Sequence, residues 1–205
     1  MAAIPLAMPQ VGAAHDAARA IGVLKRALRP DPAFAWMYPD PGQYEAHFEP
    51  FVRAVAQASF ESGTALRAGD YAGTALWMPP GTASDEGAFR QVIERSVAPA
   101  QRREVEEFFA QMREEHPAEP HWYLPFIGVD PGMQGRGLES ALLDHALGQS
   151  DRDGLPAYLE ATTLASARFY ERHGFEIVGT VQAGWSPPVF PMVRRPVRRF
   201  WRLRR

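Results

Sequence analysis

The sequence predicts a mixed α/β domain, a central sheet carrying helices on its faces. Three observations predict it. Amphipathic helical stretches alternate with short apolar runs of strand length. One such run, Trp122–Val129, enters a glycine-rich turn and then directly a helical pattern. A further strand and helix follow in the same order over 156–173. A length of 205 residues suits one domain, assigned to 1–195, followed by an Arg-rich tail at 196–205. With 46% hydrophobic residues, 5 Trp and 12 Phe, the chain has ample material for a core.

The elements can be justified in order. Ile4, Leu6 and Met8 alternate along a brief opening strand, which Pro5 and Pro9 confine to an edge. Asp16 caps a helix whose Ala17, Ile21, Leu24 and Leu28 recur at helical spacing, and Pro30 and Pro32 end it. The aromatic run from Phe34 to Tyr38 falls in a proline-rich connection. A helix over 42–60 gathers Tyr44, Phe48, Phe51, Val52 and Val55 on one face. Strands at 64–68 and 71–78 form a hairpin about Gly69-Asp70, a pair suited to a two-residue turn.

Helices follow at 85–97 and 102–115; in the second, Val105, Phe108, Phe109 and Met112 form the apolar stripe. After the strand Trp122–Val129 and its glycine turn, Leu138, Ala141, Leu142, Ala146 and Leu147 begin a helix. A strand at 156–162, a helix at 165–173 and a strand at 175–181 come next. Pro191 assigns the last strand, 189–193, to a sheet edge.

Composition excludes several functions. There is no cysteine, so disulfides, thiolate metal sites and cysteine nucleophiles are ruled out. The six His stand singly at 15, 47, 116, 121, 145 and 173, without the i, i+4 pair of a helical zinc site, so no metal is expected. The first residues lack the basic start and apolar run of a signal peptide, and no stretch is long enough to span a bilayer. A cytoplasmic protein without membrane association is therefore expected. Seven Arg crowd into 194–205, and subtracting them from the formal −2 leaves the body at −9. An acidic body offers no basic face to match that run, so nucleic acid is not an expected partner. Binding through the basic tail is a separate reading, marked by steep salt dependence.

The turn Gln134-Gly135-Arg136-Gly137 between strand and helix makes an anion site by backbone geometry. Glycines permit unusual backbone angles, and the free N–H groups of a helix start present the positive end of its dipole. Gly-x-x-x-x-Gly-Lys-Ser/Thr is absent, and the dinucleotide pattern Gly-x-Gly-x-x-Gly fails at Ser140. The glycines alone are equally compatible with a turn that binds nothing.

The context of that turn narrows the choice. Val129, Pro131, Gln134 and Gly137 match, in order and spacing, the acyl-CoA loop of the GNAT superfamily of N-acetyltransferases. The segments Ala157-Tyr158-Leu159-Glu160-Ala161-Thr162 and Phe169-Tyr170-Glu171-Arg172-His173-Gly174-Phe175 look like that family's fifth strand and following helix. Within the family, His121-Trp122-Tyr123-Leu124, Ala75-Leu76-Trp77 and Met192-Val193-Arg194-Arg195-Pro196 are similar to the puromycin N-acetyltransferase-like bacterial subgroup. The resemblance is firm from 119 to 196 and looser before 80.

The resemblance implies a GNAT acyl-CoA fold of α/β (α+β) class, with splayed central strands, acetyl-CoA as cosubstrate and a small-molecule primary amine as acceptor. It is compatible with a homodimer and fixes no oligomeric state. It places the main chain of Ile127, Gly128 and Val129 against pantetheine. Gln134, Gly135, Arg136, Gly137, Leu138, Glu139 and Ser140 would cradle the diphosphate, although Arg136 equally suits a solvent-facing position. Pro125 fits a splayed strand on physical grounds, since a proline interrupts a ladder.

Direct transfer to an amine needs a base for the ammonium proton, donors for the oxyanion and an acid for the thiolate. By the resemblance Tyr170 is the acid, against a plain core aromatic. Glu160 is the candidate base, against a structural carboxylate; on its strand it shares a face with Tyr158 and Thr162, opposite Ala157, Leu159 and Ala161. His121 is a weaker rival. Trp36, Met37 and Tyr38 either line the acceptor pocket or belong to the core. Two positions depart from the family pattern: Glu139 stands where Gly or Ala is usual, and Ser166 where many relatives carry a CoA-directed Asn. Glu139 motivates an alternative, a non-catalytic acyl-CoA-binding module with a weakened loop.

Overall fold

Capping and strand patterning define the elements that the computed structural model describes, over residues 9–197. The proposed strand at Ile4 to Met8 lies outside them, as does the tail beyond 197. The first strand is β1 (Val11–Ala13), followed by α1 (Ala17–Ala27), whose first turn Asp16 caps by accepting from the Arg19 N–H. Three Asp-Pro pairs then start helical turns in the same way. Asp31 caps α2 (Pro32–Met37), Asp40 caps α3 (Pro41–Glu61), and Asp130 caps a short 3₁₀ turn, Pro131–Met133. Each supplies a side-chain acceptor and a proline whose missing N–H costs nothing at the first helical position. The aromatic connection at 34–38 is therefore helical, because Pro32 begins a helix there as well as ending the previous one.

β2 (Ala65–Ala68) and β3 (Gly73–Met78) form the expected hairpin. Ala68 faces Gly73, so the loop holds four residues rather than two, with Gly69 and Tyr71 both at positive φ. Next come α4 (Glu86–Ser96), α5 (Arg102–Glu114), β4 (Trp122–Val129) and α6 (Leu138–Asp153). The chain closes with β5 (Ala157–Ala161), α7 (Leu164–Glu171), β6 (Glu176–Ile177) and β7 (Phe190–Arg194).

The sheet runs β1-β2-β3-β4-β5-β7-β6, antiparallel except for β4 against β5. β7 is therefore internal, which corrects its assignment to an edge. Its proline is tolerated because the Pro191 carbonyl accepts from Val178 N–H on the β6 side, where β6 is two residues long. A strand residue's nitrogen and carbonyl face the same way, so the absent N–H of Pro191 deprives β5 of nothing. The β7 end is anchored by the buried Arg194, which donates to both carboxylate oxygens of Asp151 at 2.8 and 3.0 Å. Arg194 therefore does not belong with the solvated basic run.

Pro125 alters β4 twice. The parallel ladder to β5 pairs Trp122, Tyr123 and Leu124 with Ala157, Tyr158 and Leu159, and ends there. On the other edge, the two-residue step Leu76 to Met78 of β3 faces the three-residue step Phe126 to Tyr123, a bulge. The extra residue shifts the side-chain alternation. Trp122 and Leu124 pack with α6 and α7, as do Ile127 and Val129, whereas Tyr123 and Phe126 face the aromatic core beneath α1, α3 and α5.

Gly128 lies on that second face. A Cβ there would stand 2.7 Å from the Ala27 Cβ and 3.4 Å from Leu24 Cδ2. The glycine thus lets α1 lie directly on β4. Gly128→Ala should destabilise the protein by about 1–3 kcal/mol in urea unfolding, an overpacking cost. Adding Ala27→Gly should return part of that loss; strict additivity of the two changes would refute the steric account.

Candidate functional site

Where β4 and β5 part, a cavity of about 1220 Å³ opens between the sheet ends. One side is built from the α6 and α7 ends. Gln134, Glu139, Ser166 and Tyr170 line it, together with the β4 segment from Leu124 to Ile127. The other side is apolar and aromatic, with Trp36 and Met37 from α2, Phe89 from α4, and Phe108, Phe109 and Met112 from α5. Tyr38 does not line it; its hydroxyl is buried 3.0 Å from Ser96 Oγ.

The glycine turn has the geometry of an anion site. Gly135 and Gly137 sit at φ +73° and +74°, with open space where a Cβ would be. Their requirement is therefore conformational, since an L side chain is disfavoured there. Gly137 precedes α6 and supplies no side-chain cap, unlike the Asp caps of α1, α2, α3 and α4. The first-turn amides of Leu138, Glu139 and Ser140 thus start a 16-residue helix without a side-chain acceptor at the cap. Arg136 is exposed. Gly128, Val129, Gly135, Arg136, Gly137, Leu138 and Ser140 flank the cavity rather than line it; Ile127, Gln134 and Glu139 reach it. An acyl-CoA fits this arrangement in two respects: open helix-start amides suit a diphosphate, and the β4 edge beyond Leu124, free of β5, suits an amide-bearing arm.

Both departures from the family pattern have a physical reading. Burial raises the Glu139 carboxyl above its ordinary pKa, against a smaller opposing effect of His173. Ser166 does not aim freely at a ligand. Its backbone N–H donates to Thr163 Oγ1 at 3.0 Å while its own hydroxyl lies within hydrogen-bond reach of the Thr163 backbone, a capping box that starts α7.

Tyr170 is buried on α7, and burial first, then the charges of Glu139 and Asp31, push its phenol far above the usual value. It stays protonated across the working pH range, the state a proton donor needs. Glu160 extends from the β5 end with its side chain 5% exposed, and its Oε1 is buried without a hydrogen-bond partner. Tyr123 and Tyr158 stand beside it. Burial, and then the Glu160 charge, raise both phenols strongly. The 158/160 and 157/159/161 faces divide as the alternation predicts: Ala157, Leu159 and Ala161 pack into the α6–α7 core.

Two contributors escape sequence reasoning. Asp31 accepts from Ala33 N–H at 2.9 Å and also from the Thr162 hydroxyl, tying the α2 start to the β5 end beside the cavity. Its Asp-Pro signature marks a helix start and was the available signal. His116, after α5, brings Nε2 to 3.4 Å from Glu160 Oε1. No local spacing announces that contact, 44 positions apart. Among the described residues, no three His, Asp or Glu side chains are placed to hold a metal, and no helix is long and apolar enough to cross a membrane.

Comparison with known proteins agrees with this geometry. The acetyltransferase (GNAT) family matches residues 27–175, from the end of α1 through α7. An uncharacterized N-acetyltransferase of Schizosaccharomyces pombe is 26% identical over 89% of this chain and 81% of its own length. A solved Corynebacterium glutamicum structure, described as histone acetyltransferase HPA2 and related acetyltransferase, is 25% identical. It superposes at TM-score 0.67 over 94% of this chain and 99% of that one. Arylalkylamine N-acetyltransferase 2 of Aedes aegypti, at 13% identity, TM-score 0.63 and coverage of 91% and 98%, shares the fold. The chain belongs to the acetyltransferase (GNAT) family, and is therefore an acyltransferase of a kind that implies acetyl-CoA as donor.

Proposed function

We propose that the chain moves an acetyl group from acetyl-CoA to the primary amine of a small molecule by direct transfer. The reading follows the puromycin N-acetyltransferase-like resemblance at 119–196. The observation that carries it is convergence: Glu160 and Tyr170, from different elements, line one cavity with an aromatic chamber on one side and the open α6 start on the other. Acetyl-CoA supplies the acetyl group and the sulfur that leaves.

The chain's residues divide the remaining work. Glu160 takes the ammonium proton, because an amine must be neutral to attack. Tyr170 gives a proton to the departing sulfur. The amides of 138–140 hold the anionic end of the donor. The wall of Trp36, Phe89, Phe108, Phe109 and Met112 suits an amine with an aromatic or apolar body, held by ring packing. Asp31, Glu139 and Glu160 make the cavity acidic and suit a cationic acceptor. The convergence of acid and base favours catalysis over the acyl-CoA-binding module.

Tyr170→Phe should lower kcat by about 100-fold in a CoA-release assay over a panel of aryl and alkyl amines, while acetyl-CoA affinity by calorimetry stays the same. Full activity in that variant would remove Tyr170 from the chemistry. For Glu139, the sign follows from its raised pKa. Below that pKa the carboxyl is neutral; as pH rises through it, a negative charge develops beside the diphosphate site. Acetyl-CoA affinity should therefore weaken with rising pH in the wild type and change less in Glu139→Gln. At high pH the variant should bind about fivefold more tightly, as about 1 kcal/mol of water-screened repulsion predicts. Equal affinities would mean that the carboxylate lies clear of the phosphates.

A further inference from the structure

Beside Glu160, the same cavity is lined by two histidines that acetyl transfer as described above does not use. His121 Nδ1 lies 2.9 Å from the Glu119 carbonyl oxygen, and His116 Nδ1 lies 3.1 Å from His121 Nε2. His116 Nε2 completes the line, 3.4 Å from Glu160 Oε1. The rings are held in place by Tyr158 and Tyr123, whose centroids lie 4.3 and 4.6 Å from that of His116.

Hydrogen bookkeeping along this line leaves little freedom. A carbonyl oxygen only accepts, so His121 Nδ1 carries a hydrogen, and in the neutral ring Nε2 is bare. His116 Nδ1 must then donate to it, which leaves His116 Nε2 bare and facing the carboxylate. Two acceptors would confront each other unless a proton sits between them. The junction is therefore built to take up one proton from Glu160.

We propose that Glu160, His116 and His121 form one proton-transfer chain, which carries the acceptor's ammonium proton from the buried carboxylate toward solvent. This rests on Glu160 being the base. Glu160 takes the proton from the ammonium and passes it to His116 Nε2. The His116 Nδ1 hydrogen moves to His121 Nε2, and the His121 Nδ1 hydrogen leaves to water beside the exposed Glu119. One proton leaves the amine, one reaches water, and both rings end neutral; exchange with water restores the starting tautomers. His116 is 25% exposed against 5% for Glu160, so the line runs from dry to wet. Burial also holds His121 below its ordinary pKa, which favours release.

The groups facing the chain are few. Tyr123 on β4 and Tyr158 on β5 flank Glu160, Glu115 at the end of α5 acts on Tyr158, and Arg113 lines the cavity nearby. Glu119 is engaged by Arg195 at 2.6 Å.

The test uses the full chain, with kcat measured across pH for tyramine and a panel of other amines. His121→Ala and His116→Ala should each lower kcat by about tenfold or more near neutrality, leave the KM for acetyl-CoA unchanged, and recover with added imidazole. Wild-type rates and pH profiles in both variants would overturn the relay, as would losses that imidazole cannot restore in a folded protein. Glu160→Gln separates the two ideas: full activity there defeats the base reading, whereas an inactive Glu160→Gln beside active histidine variants defeats the relay alone. Nitrogen NMR supplies a readout independent of turnover. Both rings should carry their hydrogen on Nδ1, as the line of contacts requires; a bare Nδ1 on either ring contradicts the chain.

Discussion

The short parallel pairing of β4 with β5 is the constraint from which the site follows. Three residue pairs hold the strands together, and then Pro125 ends the ladder. Without that break, the register would carry the ladder on through Glu160 and Ala161, the cavity between the strand ends would narrow, and Glu160 would lie within a continuous sheet. The same proline sits within the bulge that shifts β4's alternation, sending Phe126 to the aromatic core and Ile127 to the α6–α7 core. One imino acid thus opens the cleft and sets which side chains line it. The remaining sheet compensates by being well paired elsewhere: β5 keeps five partners on β7, and β4 keeps β3 on its other edge.

Two cores buttress the split strands from opposite faces. On one, Phe34 packs on Phe48 and Phe51, and Phe51 on Phe109 and Phe126, in edge-on or tilted pairs with ring centroids 5.1 to 6.2 Å apart. Such packing resists collapse of the opening, because rings filling a layer at native density cannot slide into it without leaving voids. On the other, α6 and α7 bury Leu138, Leu142, Leu143 and Ala167 beneath the strands. The tie from Thr162 to Asp31 joins the α2 start to the β5 end, on the rim of the cleft between those layers. Rigid walls on both sides are what a site needs when two reactants must be held within bonding reach.

The parts of this arrangement written in local sequence were legible. Gln134 to Gly137 lies between one strand and one helix, so its turn geometry follows from contiguous residues. Alternation along 157–161 puts Glu160 on one face with Tyr158, opposite Ala157, Leu159 and Ala161, without any knowledge of its neighbours. Tyr170 takes its place from the resemblance alone; it is buried in the α6–α7 core and lines the cavity. The errors arose where a residue serves two neighbours. Pro32 ends one helix, as the sequence predicts, and also starts the next. Pro191 signals an edge in the sequence, yet β7 is internal because the proline's ladder-deficient side meets the two-residue β6. His116 could not be found at all, since its partners Glu160 and Tyr158 reach it only through the β4–β5 pairing.

The burial of Glu160 has an energetic meaning that local reading also could not supply. A carboxylate removed from water is costly unless donors surround it, and proteins usually provide them. Here the Tyr123 and Tyr158 phenols flank the carboxylate, a histidine nitrogen stands 3.4 Å from Oε1, and no arginine or backbone N–H reaches that oxygen. A purely structural carboxylate would be expected to recruit an arginine or backbone N–H, as Asp151 recruits both Arg194 and the Val197 N–H. The contrast between the two acids, in one fold, fits the proposed role of Glu160, a carboxylate that takes up and releases a proton instead of holding a fixed cation. Unpaired polarity of this kind persists only where the surrounding packing enforces it, and the enforcement comes from Tyr123, Tyr158 and the rings of the two histidines.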